Sequence, residues 1–165
     1  MCIRDRCSLV KADLAHAFLK DANLSKSNLT STDLTATDCK GANLSQCAAS
    51  YASLRRANLT NVNMQNIILN EADLRQASAE GANARNAILI GADLKNSDFS
   101  GANFQRAELA FAQLEGCNFA GATFQAANLA EADGWEKAEW GGAVFNSASR
   151  LPSGFRELID SVIFV

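Results

Sequence analysis

The chain has one histidine (His16), one proline and one tyrosine in 165 residues, and aromatic residues make up only 7%. No apolar run approaches the roughly 20 residues that span a bilayer, so no membrane span is expected. Residues 1–6, Met-Cys-Ile-Arg-Asp-Arg, contain no apolar stretch of the kind that a secretory signal needs. Charge of one sign is not in excess. Fifteen basic residues face 18 acidic ones, and the net charge of −3 gives no argument for a nucleic-acid, membrane or acidic-ligand partner. There is no Cys-x-x-Cys pair, and the glycines are too scattered to form a phosphate loop. What remains is a chain of one-domain length, 48% hydrophobic and 20% charged, as in a soluble globular protein.

Its order is a period of five. Stepping from Leu9 to Leu129, the 25 central positions hold 16 Leu, four Phe (Phe99, Phe104, Phe119, Phe124), Met64, Cys39 and three Ala. Two residues before each centre, from Cys7 to Ala132, lie 26 positions. Seventeen are Ala, and the others are Cys, Ser or Thr except Val62 and Ile67. The residue just before the centre is Asn or Asp in 16 of 26 repeats. The unit is Ala-(Asn/Asp)-Leu-x-x.

An α-helix advances about 140° net per five residues, which would scatter the leucines around every side. A single strand sends residues an odd number apart to opposite faces. A short extended segment in each repeat satisfies the pattern: the small residue and the Leu, two apart, point the same way, and the next two residues turn a corner. Identity recurs at twenty. Asn23, Asn43, Asn63, Asn83 and Asn103 form one column and Asp13, Asp33, Asp73 and Asp93 another. Gly41, Gly81, Gly101 and Gly121, with Asp21 and Asn61, form a third column of residues that tolerate positive φ at a tight corner. Four repeats per turn make a square coil. Residues 7–126 then give six coils and, at ~4.8 Å per coil, a rod of roughly 30 Å.

The repeat resembles the pentapeptide-repeat family over about residues 7–150. That resemblance implies an all-β, right-handed quadrilateral β-helix. One large apolar side chain per repeat is a thin core, so coil-to-coil hydrogen bonds and side-chain ladders must add to it. Stacked Asn amides that donate and accept along their column are one expected ladder. Arg55, Arg75 and Lys95 form a column beside the Asp column, and the two are expected to neutralise each other; a basic stripe for a polyanion is the other reading.

The ends break the pattern. Residues 1–6 lie outside it and resemble the conceptual translation of a sequencing-adapter remnant. Read so, the native start, and any export signal before it, is missing; an ordinary short tail is the alternative. Near Gly134-Trp135 the repeat slips by one residue, then resumes as Ala138-Glu139-Trp140 and Ala143-Val144-Phe145. Leu151-Pro152-Ser153-Gly154-Phe155 resembles the Leu-Pro-x-Gly-Phe ending of bacterial family members. Phe155, Leu158, Ile159 and Val162 fall at helical spacing, so residues 151–165 read as a helical cap with Ser153 as N-cap. A homodimer contact at this end is the alternative that the resemblance offers.

No catalytic, cofactor-binding or metal-binding residue stands out, and an enzyme is not expected. Cys7, Cys47 and Cys117 replace Ala in the small column and Cys39 replaces a central Leu, as free cysteines do in an apolar wall. Such usage fits a reducing compartment, so the cytoplasm is the expected location. One side is irregular. Beside Leu29, Ala49, Leu69, Leu89 and Leu109 the usual Asn/Asp gives way to Ala48, Ile68 and Ile88. Tyr51, Ile90 and Phe111 project from the same side, which predicts an exposed apolar patch across about three coils. The function expected is a structural or protein-interaction module with a protein partner. Some family members mimic DNA and bind type II topoisomerases such as gyrase. That alternative wants a marked acidic surface, which the charge balance does not supply.

Overall fold

Two residues of every five turn a corner, and the turn is the same each time. The Ala12 N–H donates to the Leu9 carbonyl at 3.0 Å, closing a four-residue turn, and this bond repeats along the chain. The third residue of the turn has positive φ in every repeat from Arg6 to Glu131, as in a type II turn. The expected Gly/Asn/Asp column is therefore one row among four. Lys11, Gln46, Tyr51 and Phe111 also adopt φ of 56–61°. A left-handed conformation costs a non-glycine residue about 1 kcal/mol or more, and closure of the coil imposes it regardless of type.

The computed structural model describes residues 6–158 and 162–165. The reading of residues 1–6 as an adapter remnant, apart from Arg6, and the place of Ile159 in a terminal helix lie outside the described residues. Arg6 already has the corner conformation (φ 62°), and its N–H donates to the Ser25 carbonyl on the next coil.

Four sides per turn and parallel pairing between turns make a right-handed quadrilateral β-helix. Each side pairs through a single residue with the same side one coil on. Asn43 pairs with Asn63, Asp73 with Asp93 and Ile68 with Ile88. In each such pair the outer residue's N–H and the centre's N–H bond in opposite directions: Asn28 to the Cys7 carbonyl and Leu9 to the Asn28 carbonyl, both at 2.8 Å. The rungs from Ser8 through Asn28, Ala48, Ile68, Ile88, Glu108 and Asn128 to Arg150 extend one turn beyond the six regular coils. That last turn is irregular. Asn118 pairs with Glu139, one residue late, as the slip at Gly134 predicts; Asn128 pairs with Arg150, a second residue late.

The central residues are fully buried from Leu24 to Leu129, walled by the small column. At the start of the described chain Leu9, Leu14 and Ala17 are only partly buried. Towards the other end the core becomes aromatic. Phe104 stacks on Phe124 at 5.0 Å and Phe124 on Phe145 at 5.2 Å, one coil apart, while Trp140 stacks on Phe119 at 4.8 Å. Phe155 is the plug. Its ring packs on Trp135, Trp140 and Phe145 at 5.0–5.3 Å and is fully buried.

The cap departs from the sequence expectation. Among the described residues the helix α1 covers Phe155–Leu158, and the Phe155 N–H donates to the Pro152 carbonyl at 3.3 Å rather than to the Ser153 side chain. After it, Val162 packs against the core and β2 (Ile163–Phe164) pairs in parallel with β1 (Val144–Phe145). An open ladder edge attracts a strand because it presents unpaired N–H and C=O groups. The Ile163 N–H accordingly donates to the Ala143 carbonyl at 2.8 Å.

The side-chain ladders also differ from expectation. Along the Asn column, among the described residues, one amide-to-amide bond runs from Asn63 Nδ2 to Asn43 Oδ1 at 3.3 Å. The dominant bond is local. The side-chain oxygen of Asn23, Asn43, Asn63 and Asn103 accepts from the backbone N–H two residues on, at 2.9–3.1 Å. Asp33, Asp73 and Asp93 do the same at 2.9–3.1 Å. Only an oxygen at that position is required, which explains why Asn and Asp interchange there. Polar residues of the small column are satisfied in a related way: Thr32 Oγ1 donates to the Leu9 carbonyl and Cys47 Sγ to the Leu24 carbonyl.

Among the described residues the charged columns pair through Arg75 alone, and Arg55 and Lys95 make no ion pair. Arg75 contacts Asp73 at 2.6 Å and Asp93 at 3.6 Å. The Arg75 hydrogen bond holds the Asp73 carboxyl below its ordinary value. A carboxylate whose native pKa is depressed adds stability above the unfolded-state value near 3.9, and that contribution disappears as pH falls through the native value. Asp73→Asn keeps the turn-closing oxygen but loses the ion pair. The stability difference between wild type and Asp73→Asn is expected to be constant above about pH 5 and to shrink as pH falls below the unfolded-state value near 3.9 in urea titrations. A difference that stays constant below that value would remove the ion pair as its cause.

Candidate functional site

The apolar side is built by the same backbone as the other three. Residues just before a centre point outward, so Ile68 and Ile88 occupy positions that hold Asn or Asp in most repeats. They are direct neighbours on successive coils. Ile68 is 38% exposed and Ile88 half-buried. Ile90, two residues further along that coil, starts the corner and is 39% exposed. Phe111 stands on the same corner one coil on, 60% exposed, and Tyr51 two coils back from Gly91, 58% exposed.

The structure thus groups Ile68, Ile88, Ile90 and Phe111. Tyr51 is set apart from them by Glu71, whose carboxylate accepts from the Tyr51 hydroxyl at 3.3 Å. Glu108 follows Ile88 on the face and bounds the strip there; Asn128 Nδ2 donates to its carboxylate at 2.7 Å.

Two outward features escaped the sequence reading. Phe18 is 84% exposed on a different side, in the row of Asp38 and Asn58. Its signal was present, since Phe18 occupies the Asn/Asp position of its repeat. Arg85 and Arg106 sit on successive coils at the corner preceding the apolar face. With Gln105, Gln125 and Asn146 they line a concavity of about 180 Å³. Neither arginine belongs to a twenty-residue column of like charge, so periodicity does not reveal them.

Elsewhere the chemistry is quiet. Burial pushes the Cys39 thiol up to about 12 and the Cys117 thiol up to about 11, and it raises Cys47 as well. Thiols held protonated are poor nucleophiles and poor metal ligands. His16 lies on an exposed corner. Among the described residues no cluster of three His, Cys, Asp or Glu side chains is placed to hold a metal, and no helix is long and apolar enough to cross a membrane.

A parallel four-sided solenoid with near-constant inward rows and variable outward ones belongs to the repeat proteins that present an extended, rigid surface. The family model for pentapeptide repeats matches eight copies, over residues 7–38, 37–76, 67–106 and 107–133. The chain belongs to the pentapeptide-repeat family.

Two solved structures agree on the fold. A trypsin-treated form of QnrB1, a plasmid-mediated fluoroquinolone resistance protein, is 22% identical with a TM-score of 0.61 and covers 98% of this chain and 91% of its own. Full-length QnrB1 is 19% identical with a TM-score of 0.56, covering 98% and 93%. HetL from the cyanobacterium Nostoc, a pentapeptide repeat protein involved in heterocyst differentiation regulation, is 25% identical with a TM-score of 0.39, covering 97% and 81%. A search of curated proteins gives no match. No catalytic family is indicated by any of these comparisons.

Proposed function

We propose that this protein is a non-catalytic interaction module and that the side bearing Ile68 and Ile88 is its contact surface for a protein partner. The observation that carries this is the adjacency of Ile68 and Ile88 in outward positions, continued by Ile90 and Phe111. Polar residues fold equally well at those positions in the other repeats. Exposed apolar side chains there add little to the fold, and grouped ones mark a contact on a soluble surface. The buried thiols fit a reducing compartment, which supports a cytoplasmic location.

The test is Ile68→Asn with Ile88→Asn, which writes the repeat's own consensus into both coils. Stability is expected to change by less than about 0.5 kcal/mol per site. Capture of the partner, or self-association in sedimentation, is expected to fall at least tenfold. Unchanged capture and unchanged self-association would remove the assignment.

A DNA-mimicking binder of a type II topoisomerase is the alternative. Against it, Arg75 pairs with the aspartates, and the corner that carries Arg85 and Arg106 has no acidic residue from Ser25 to Ala126. A gyrase supercoiling assay with and without the protein separates the two readings.

A further inference from the structure

We propose that the corner notch formed by Arg85 and Arg106 binds a carboxylate side chain of the partner, seated while the partner's apolar residues cover Ile88 and Ile68. This rests on the reading of that side as a contact surface. The notch follows from what its groups have already bonded. Gln125 Oε1 accepts from Gln105 Nε2 at 2.8 Å. Asn146 Oδ1 accepts from the backbone N–H of Ala126 at 2.9 Å and of Ala148 at 3.2 Å. The side-chain oxygens of Gln125 and Asn146 are thus committed, and their amide N–H groups, with Gln105 Oε1, are left to bond.

The two guanidinium groups carry only donors. Among the described residues neither Arg85 nor Arg106 has an acidic partner within ion-pairing distance, whereas Arg75 and Lys137 do. Glu108, two residues from Arg106, accepts from Asn128 instead. A concavity of about 180 Å³ that presents two guanidinium groups and the amide N–H groups of Gln125 and Asn146 takes an anion with planar oxygens. Arg85 and Ile88 lie on one coil, three residues apart, so the anion site and the apolar strip adjoin.

The probes are glutarate and two blocked peptides, Glu-Glu-Leu-Leu and Gln-Gln-Leu-Leu, titrated while the arginine side-chain N–H resonances are followed by NMR. The glutamate peptide is expected to shift Arg85 and Arg106 and to bind at least fivefold more tightly than glutarate. The glutamine peptide is expected to leave both arginines unshifted. Arg85→Gln with Arg106→Gln is expected to weaken the glutamate peptide roughly tenfold. The Ile68→Asn and Ile88→Asn pair is expected to weaken the peptide but to leave the glutarate response intact.

Equal shifts at Arg55 and Arg56, or no shift at Arg85 and Arg106, would overturn the notch. Glutarate binding as tightly as the peptide would overturn the assignment to a partner's side chain. Peptide affinity lost with the arginine pair but unaffected by the isoleucine pair would keep the notch and remove the apolar contact surface. The reverse pattern would keep the surface and remove the notch.

Discussion

Ala82→Leu is expected to lower the melting temperature by about 10 °C, while Ala130→Leu is expected to leave it nearly unchanged. Ala82 is fully buried in the small column, between Val62 on one neighbouring coil and Ala102 on the other. The tube is a stack, and coil spacing is fixed by backbone hydrogen bonds: the Asn83 N–H donates to the Val62 carbonyl at 2.9 Å and the Asn103 N–H to the Ala82 carbonyl at 2.9 Å. Added carbon atoms cannot be accommodated by separating the coils without breaking those bonds. Overpacking of a close-packed interior costs about 1–3 kcal/mol and occasionally more. A solenoid has no second core layer to relax into, so the upper end applies, and in a domain of this length each kcal/mol shifts the melting temperature by roughly 2–4 °C. Ala130 is a half-exposed corner residue whose N–H bonds the Asn128 side chain, and a longer side chain there extends into water. Thermal unfolding followed by circular dichroism measures both. Equal melting temperatures would mean that the small column does not face inward.

The second large effect is at Gly134. Its φ is +70°, and a Cβ there would lie 2.8 Å from the Glu115 backbone nitrogen and 3.0 Å from its Cα. Glu115 is held in turn, since its carbonyl accepts from the Asn96 N–H at 2.9 Å. Gly134→Ala therefore combines the left-handed penalty with a backbone clash and is expected to cost about 3 kcal/mol or more. Gly101 is the control. It has φ +64° with nothing within 4 Å of an added Cβ, and Ala36 and Ala126 already occupy equivalent corners at φ 54° and 57°. Gly101→Ala is expected to stay within about 1 kcal/mol of wild type, because reduced freedom of the unfolded chain offsets part of the strain. Tryptophan fluorescence from Trp135 and Trp140 reports the cap, and urea unfolding reports the whole. Matching losses for the two variants would show that backbone contact at Glu115 does not matter.

Gly134 marks the limit of what could be read in advance. The slip there was legible, because Trp140 and Phe145 resume the inward row one residue late. The second late residue, before Arg150, was not, because Asn146-Ser147-Ala148 carries no large apolar residue to mark the register. The terminal strand was missed for a related reason. Phe155, Leu158, Ile159 and Val162 fit a helical period, but Val162 also precedes Ile163 and Phe164, and the unpaired edge at Val144–Phe145 decides in favour of a strand. Of the apolar patch, the pairing of Ile68 with Ile88 was visible from their spacing of twenty. The separation of Tyr51 by Glu71 and the exposure of Phe18 required the corners to be placed.

From the sequence alone come the period, the inward rows and the four-sided winding, since a residue repeated every five positions has one way to stay buried. Tertiary closure decided the rest: positive φ at every corner, the exchange of Asn and Asp as turn-closing oxygens, the strand at the end, and the meeting of Arg85 and Arg106 at one corner. Those features depend on which groups meet twenty or more residues apart and on which hydrogen bonds are already used. No row of the repeat encodes that, because it is fixed only when successive coils lie against one another.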